Sequence, residues 1–190
     1  MTIPNYLTLG RIALIPLFVL VFYLPGEWTF LVSTAIFGLA AATDWLDGYL
    51  ARKWNLSTPF GMFLDPVADK LLVATALVLL VHRDNTLLVT LPAVIIIGRE
   101  IAVSALREWM AQIGKNASVA VSWVGKLKTT LQMIAIIGLL LFNSQTQPLL
   151  HNIGVLCLIF AAGLTIWSMV QYLKIGWVYM APHAKNDGSD

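Results

Sequence analysis

This chain of 190 residues is short of charge, of histidine and above all of cysteine. Cys157 is alone, so neither an internal disulfide nor a thiolate metal site can form. His82, His151 and His183 show no partner pattern that suggests catalysis. Charged residues make up only 12% of the chain against 58% hydrophobic, with mean hydropathy +0.79. One soluble core cannot hide that much apolar sequence, which excludes a soluble domain and leaves a polytopic membrane protein. A net charge of +2, spread along the chain, gives no reason to expect a nucleic-acid partner.

What is present is apolar sequence in runs of membrane-crossing length. About 20 apolar residues span a bilayer, and on that measure the chain is all-α with six transmembrane helices, over residues 6–24, 28–50, 61–81, 86–110, 122–142 and 149–172. The links Pro25-Gly26, His82 to Asn85 and Asn143 to Pro148 are short, so the helices that they join are expected to be antiparallel neighbours. Residues 1–180 read as one catalytic membrane domain and 181–190 as a short polar tail. The first apolar run has no Lys or Arg before Arg11 and no small-residue cleavage site after it, so it is expected to be helix one and not a secretory signal. With both termini cytosolic, eleven of the twelve Lys and Arg fall on the inner side and only Arg83 lies outside. Trp28, Trp54, Trp109, Trp123 and Trp177 fall near the expected interfaces and suit an aromatic belt.

Against this background four acids stand out, Asp44, Asp47, Asp65 and Asp69, each in or beside apolar sequence where a lone carboxylate costs about 2.5–3.5 kcal/mol. Asp44 and Asp47 are three apart and Asp65 and Asp69 four apart, so on helices each pair shares one face. The segment Lys53-Trp54-Asn55-Leu56-Ser57-Thr58-Pro59 between them reads as a reversal of direction. Counted from Leu56, Asp47 and Asp65 are equally distant and Asp44 and Asp69 nearly so, which brings all four to about one depth. At about 5 Å and an effective dielectric near 20, each like-charge pair costs roughly 3 kcal/mol, and Arg52 and Lys70 are too few to balance them. Hard divalent ions such as Mg²⁺, Mn²⁺ or Ca²⁺ take oxygen ligands of this kind, so the cluster reads as a metal site. Helix capping would need a single carboxylate at a helix start, not two facing pairs. Gly48 and Ala51 allow close approach of a ligand or of another helix. Asn5, Thr8 and Arg11 form a polar stripe at i,i+3 spacing on helix one. Further cations, Arg99, Arg107 and Lys126, lie at the cytosolic ends of helices four and five; Lys115 and Lys128 read as snorkelling toward lipid headgroups. Arg99 and Glu100 inside helix four point to an open cavity there.

The run Asp-x2-Asp-Gly-x2-Ala-Arg-x8-Gly-x3-Asp-x3-Asp, from Asp44 through Gly48, Ala51, Arg52 and Gly61 to Asp69, resembles the signature of the CDP-alcohol phosphotransferases, with every position filled. The likeness extends to Asn5/Thr8/Arg11, to Arg99-Glu100 and Arg107-Glu108, and to Gly125-Lys126-x-Lys128-Thr129. The resemblance implies phosphatidyl transfer from CDP-diacylglycerol to sn-glycerol 3-phosphate in a bacterial cytoplasmic (inner) membrane, with the active site facing the cytosol. It implies two divalent ions, Mg²⁺ or Mn²⁺, on Asp44, Asp47, Asp65 and Asp69, with Asp69 also the general base. It assigns Asn5, Thr8, Gly48, Ala51, Arg52 and Gly61 to the CDP-lipid, and it allows a homodimer among membrane lipids. A dianionic acceptor needs cations of its own, for which Arg99, Arg107 and Lys126 are the candidates. The signature handles the shared donor and so leaves phosphatidylserine, phosphatidylinositol phosphate and cardiolipin synthases as alternatives. Outside the family, intramembrane carboxylates also suit a cation-coupled transporter, but these cluster at helix ends and no repeat of broken helices is visible.

Overall fold

The computed structural model describes residues 3–54, 58–112 and 123–180. Residues 55–57, the link that holds Lys115, and the tail 181–190 with His183 and Lys185 lie outside the described residues. Within the described residues the chain is all-α and contains six helices: α1 Ile3–Phe22, α2 Trp28–Trp54, α3 Pro59–Asp84, α4 Leu87–Gln112, α5 Trp123–Leu141 and α6 Pro148–Met180. Five match the predicted runs to within a few residues. The sixth runs eight residues past its predicted end at 172, since no proline interrupts it before Pro182.

Local chemistry sets several ends. Thr58 caps α3, its hydroxyl accepting from the Gly61 N–H at 3.0 Å, with Pro59 opening the helix. Asn85 closes it in the left-handed region at φ 45, its N–H donating to the Val81 carbonyl. Gly26, at φ +124, makes the tight turn into α2, and its carbonyl accepts from the Thr29 hydroxyl at 2.7 Å.

The packing closes a ring in which α1 touches α2, α2 touches α5, α5 touches α6, α6 touches α4, α4 touches α3 and α3 returns to α1. Across it α3 also meets α2 and α5. The three helix pairs joined by short links are indeed in contact. Phe18, Phe37, Leu77, Leu80, Ile96, Ile136 and Leu158 fill the core, while Leu20, Phe63, Leu87, Ile101 and Phe160 lie on the outside. An apolar exterior of this extent suits lipid and not water.

Six spans were predicted, whereas three helices among the described residues are long and apolar enough to cross a membrane: 5–22, 87–112 and 148–174. The apolar parts of α2 and α5 are shorter, Trp28–Asp44 and Leu127–Leu141. The acids of α2 and α3 and the lysines of α5 interrupt the apolar runs where the candidate site begins, so these helices fall short of that measure. The chain is a multi-pass membrane protein.

Candidate active site

Three helices build the first part of the site. Arg11 on α1 is almost wholly buried and forks between two acids of α2, Nη1 donating to Asp44 Oδ1 at 2.6 Å and Nη2 to Asp47 Oδ2 at 2.5 Å. One turn earlier, the Thr8 hydroxyl donates to Asp65 Oδ1 of α3 at 2.5 Å. One turn earlier still, Asn5 Oδ1 accepts from the Thr58 hydroxyl at 3.1 Å. The predicted polar stripe is therefore a buried rib that ties α2 and α3 together, and its i,i+3 spacing keeps all three side chains on one face.

Arg11 and Thr8 of α1 bond three of the four acids, and Asp44 and Asp69, one from each pair, stand within electrostatic reach of each other. Arg11 was missed as their counter-ion; a lone arginine inside an apolar run on an adjacent helix was the available signal. Among the described residues no three acidic, His or Cys side chains converge as a ready metal cage. Asp69 accepts no hydrogen bond from a described side chain. It lies within electrostatic reach of Asp44 and Arg11 and also of Glu100 and Lys70.

Gly61 has a packing reason. A Cβ there would stand 2.8 Å from Asn5 Oδ1 and 3.1 Å from the Thr58 hydroxyl. The side chains of Gly48, Ala51, Arg52 and Lys126 lie outside the described residues, so their predicted roles find no geometry here.

Asp69, Lys70, Glu100, Thr129 and Gln132 border a small cavity of about 100 Å³, and a larger one of about 260 Å³ shares Lys70, Glu100 and Thr129 with it. Arg99, Arg107 and Lys128 line the larger cavity. Glu100 organises it: Oε1 accepts from Arg99 Nη1 at 2.8 Å and from Lys128 Nζ at 3.0 Å. Arg99 also reaches the Ser168 hydroxyl at 3.4 Å and lies over the Tyr172 ring, 5.7 Å from its centre. Lys70 donates to the Ser104 hydroxyl at 2.5 Å.

Two of the predicted acceptor cations, Arg99 and Arg107, thus share one chamber. Lys128 corrects the sequence reading: it does not snorkel but is 2% exposed and paired with Glu100. A lysine excluded from water needs such a partner, and the partner sits 28 residues away on another helix. Gln132 was not anticipated either; it is buried, and its Oε1 has no partner among the described residues. With four cations against one glutamate, the chamber suits a small multiply charged anion beside a carboxylate that can take a proton.

A sequence profile of the CDP-alcohol phosphatidyltransferases matches residues 1–170. A Pseudomonas fluorescens protein named CDP-diacylglycerol–glycerol-3-phosphate 3-phosphatidyltransferase is 53% identical over 190 residues, covering 99% of this chain and 94% of the relative. Proteins of the same name from Sodalis glossinidius and Pectobacterium atrosepticum are 56% and 57% identical, covering 91% and 90% of this chain and 93% of each relative.

Proposed function

We propose, for a chain that belongs to the CDP-alcohol phosphatidyltransferase family, that phosphatidyl transfer takes place where the α1–α3 carboxylates meet the cationic chamber beneath α4 and α5. The reaction is transfer of the phosphatidyl group of CDP-diacylglycerol to sn-glycerol 3-phosphate, giving phosphatidylglycerophosphate and CMP. The observation that carries the assignment of the site is that two cavities share Lys70, Glu100 and Thr129 as walls, one of them bordered by Asp69 and the other by Arg99, Arg107 and Lys128.

The acceptor's phosphate dianion would rest among these cations, with Glu100 holding Arg99 and Lys128 in place, so that its 1-hydroxyl points toward Asp69. The hydroxyl oxygen forms a bond to the phosphorus that bears diacylglycerol, the anhydride bond to CMP breaks, and the hydroxyl proton passes to the Asp69 carboxylate. Gln132, buried beside that path, would hold the acceptor's hydroxyl side. Lys126 would add a further cation.

The donor set of Asp44, Asp47, Asp65 and Asp69 fits Mg²⁺ or Mn²⁺, for it offers only hard oxygens and opposes four carboxylates with one buried guanidinium. Two such ions, when bound, supply positive charge to the pyrophosphate and to the displacement. Asn5 and Thr8 would keep the acids in register for the CDP-lipid, and Gly48, Ala51, Arg52 and Gly61 would border its nucleotide end.

All six helices cross the bacterial cytoplasmic membrane in this reading, and the carboxylates open to the cytosol, as the eleven inner Lys and Arg require. Reporter fusions after Asn85 and Ser144 should report the outer side, and fusions after Thr58 the inner. The decisive experiment is an acceptor screen with labelled CDP-diacylglycerol and the purified chain. Glycerol 3-phosphate should yield the major lipid with release of CMP; a major product from serine or an inositol phosphate would overturn the acceptor.

A further inference from the structure

At the end of the bundle opposite the carboxylates, a separate cavity of about 260 Å³ lies between α1, α2, α3 and α5. Along α3, Asp65 and Arg83 are about 27 Å apart at 1.5 Å rise per residue, close to the thickness of the hydrocarbon layer. The cavity shares no lining residue with the chambers near Asp69. Thr29, Phe30, Ser33, Arg83, Leu140 and Asn143 are among its walls, and no carboxylate is.

Two polar atoms of its walls are buried with no hydrogen-bond partner among the described residues. Ser33 is 1% exposed, and its Oγ has no hydrogen-bond partner among the described residues. Arg83 Nη1 is likewise buried and unpartnered. The rest of that guanidinium is fixed: Nε and Nη2 donate to Asp84 at 2.7 and 3.3 Å, and the plane lies over Phe30, 5.9 Å from the ring centre. Asp84 in turn holds His151 Nε2 at 2.9 Å, so both its oxygens are engaged. Asn143 Oδ1 accepts from the Gln145 N–H at 3.1 Å, which leaves its amide nitrogen as a further donor. Buried donors without an acceptor destabilise a fold, and native proteins almost always satisfy them.

We infer that this cavity binds a phosphate group, whose oxygens accept from Arg83 Nη1, from the Ser33 hydroxyl and from the Asn143 amide. A lining of donors with a guanidinium held in place selects an anion with several acceptor oxygens. The depth suits a membrane phosphate, since exposed Tyr23 and Trp28 mark the interface beside the cavity. The phosphate belongs either to a phospholipid headgroup in the adjacent leaflet or to a free anion from solution.

Thermal melts of the full chain in detergent, titrated separately with dioleoyl phosphatidylglycerol, dioleoylglycerol and inorganic phosphate, test this. The variants are Arg83→Gln, Ser33→Leu and, as a control on the exposed face of α6, Phe160→Leu. Ser33→Leu fills the cavity and spares the Arg83–Asp84–His151 chain, so it decides the matter should Arg83→Gln fail to fold. The half-saturating concentration of the phosphate-bearing probe should rise at least about tenfold in both cavity variants and stay unchanged in Phe160→Leu. That result with the lipid assigns a headgroup site; with inorganic phosphate alone, it assigns a free-anion site. If neither probe distinguishes the cavity variants from the parent chain, or if dioleoylglycerol acts as well as the phospholipid, the inference is overturned and the donors are met by water.

Discussion

Removing the Arg11 guanidinium should unfasten α1 from α2, and the size of the effect follows from the unequal burial of its two partners. The Asp47 side chain is 3% exposed and the Asp44 side chain 42%. Breaking the buried arm leaves a charge in low dielectric and costs about 3 kcal/mol; the arm to Asp44 is open to solvent and contributes under about 1 kcal/mol. For a chain of this length Arg11→Met should therefore lower Tm by about 6–12 °C. Activity cannot isolate the contact, because both acids belong to the proposed catalytic cluster. The assay is a double-mutant cycle on stability in detergent with excess chelator, pairing Arg11→Met with Asp47→Asn and, separately, with Asp44→Asn. Arg11 and Asp47 should couple by about 2 kcal/mol, and Arg11 and Asp44 by much less. Additivity of Arg11→Met and Asp47→Asn within about 0.5 kcal/mol would refute the reasoning.

Other outcomes follow from the same geometry. Asp69→Asn should lose turnover while CDP-lipid binding, measured alongside, remains; near-parental turnover would remove Asp69 from the chemistry. Arg107→Ala should raise the apparent KM for glycerol 3-phosphate strongly and that for CDP-diacylglycerol little, and an equal rise in both would place Arg107 outside the acceptor site. Gly61→Ala should destabilise the chain by about 1 kcal/mol, the value of the α3 cap that its Cβ would crowd, as read from melts of the purified protein; an unchanged Tm would mean that Asn5 moves aside without loss.

The helices were legible because apolar runs of bilayer length leave few other options, and the carboxylates because they interrupt those runs. Three helix contacts were legible from short links. What sequence does not display is which helix stands opposite which: the Thr8–Asp65 bond joins residues 57 apart, and Glu100 meets Lys128 only once α4 and α5 stand on either side of one chamber. A lysine headed for a buried pair and one headed for a headgroup look alike until the partner is known, hence the misreading of Lys128. Arg11 was visible as a polar residue on helix one, but its two acceptors lie 33 and 36 residues away on α2.

That separation bears on how the chain enters the bilayer. Translation delivers α1 before α2, carrying an arginine whose counter-ions have yet to be made, and an unpaired arginine within a span opposes insertion, by up to about 2.5–3.5 kcal/mol at the helix centre. Once Asp44 and Asp47 emerge, the guanidinium can be neutralised within a hairpin of two helices, so the unit that settles into the membrane is the α1–α2 pair and not α1 by itself. Nascent chains cut before Asp44 should integrate α1 less completely than chains extended past Asp47, and Arg11→Leu should abolish the difference. The fork that fastens the mature site would then also time the chain's arrival in the bilayer.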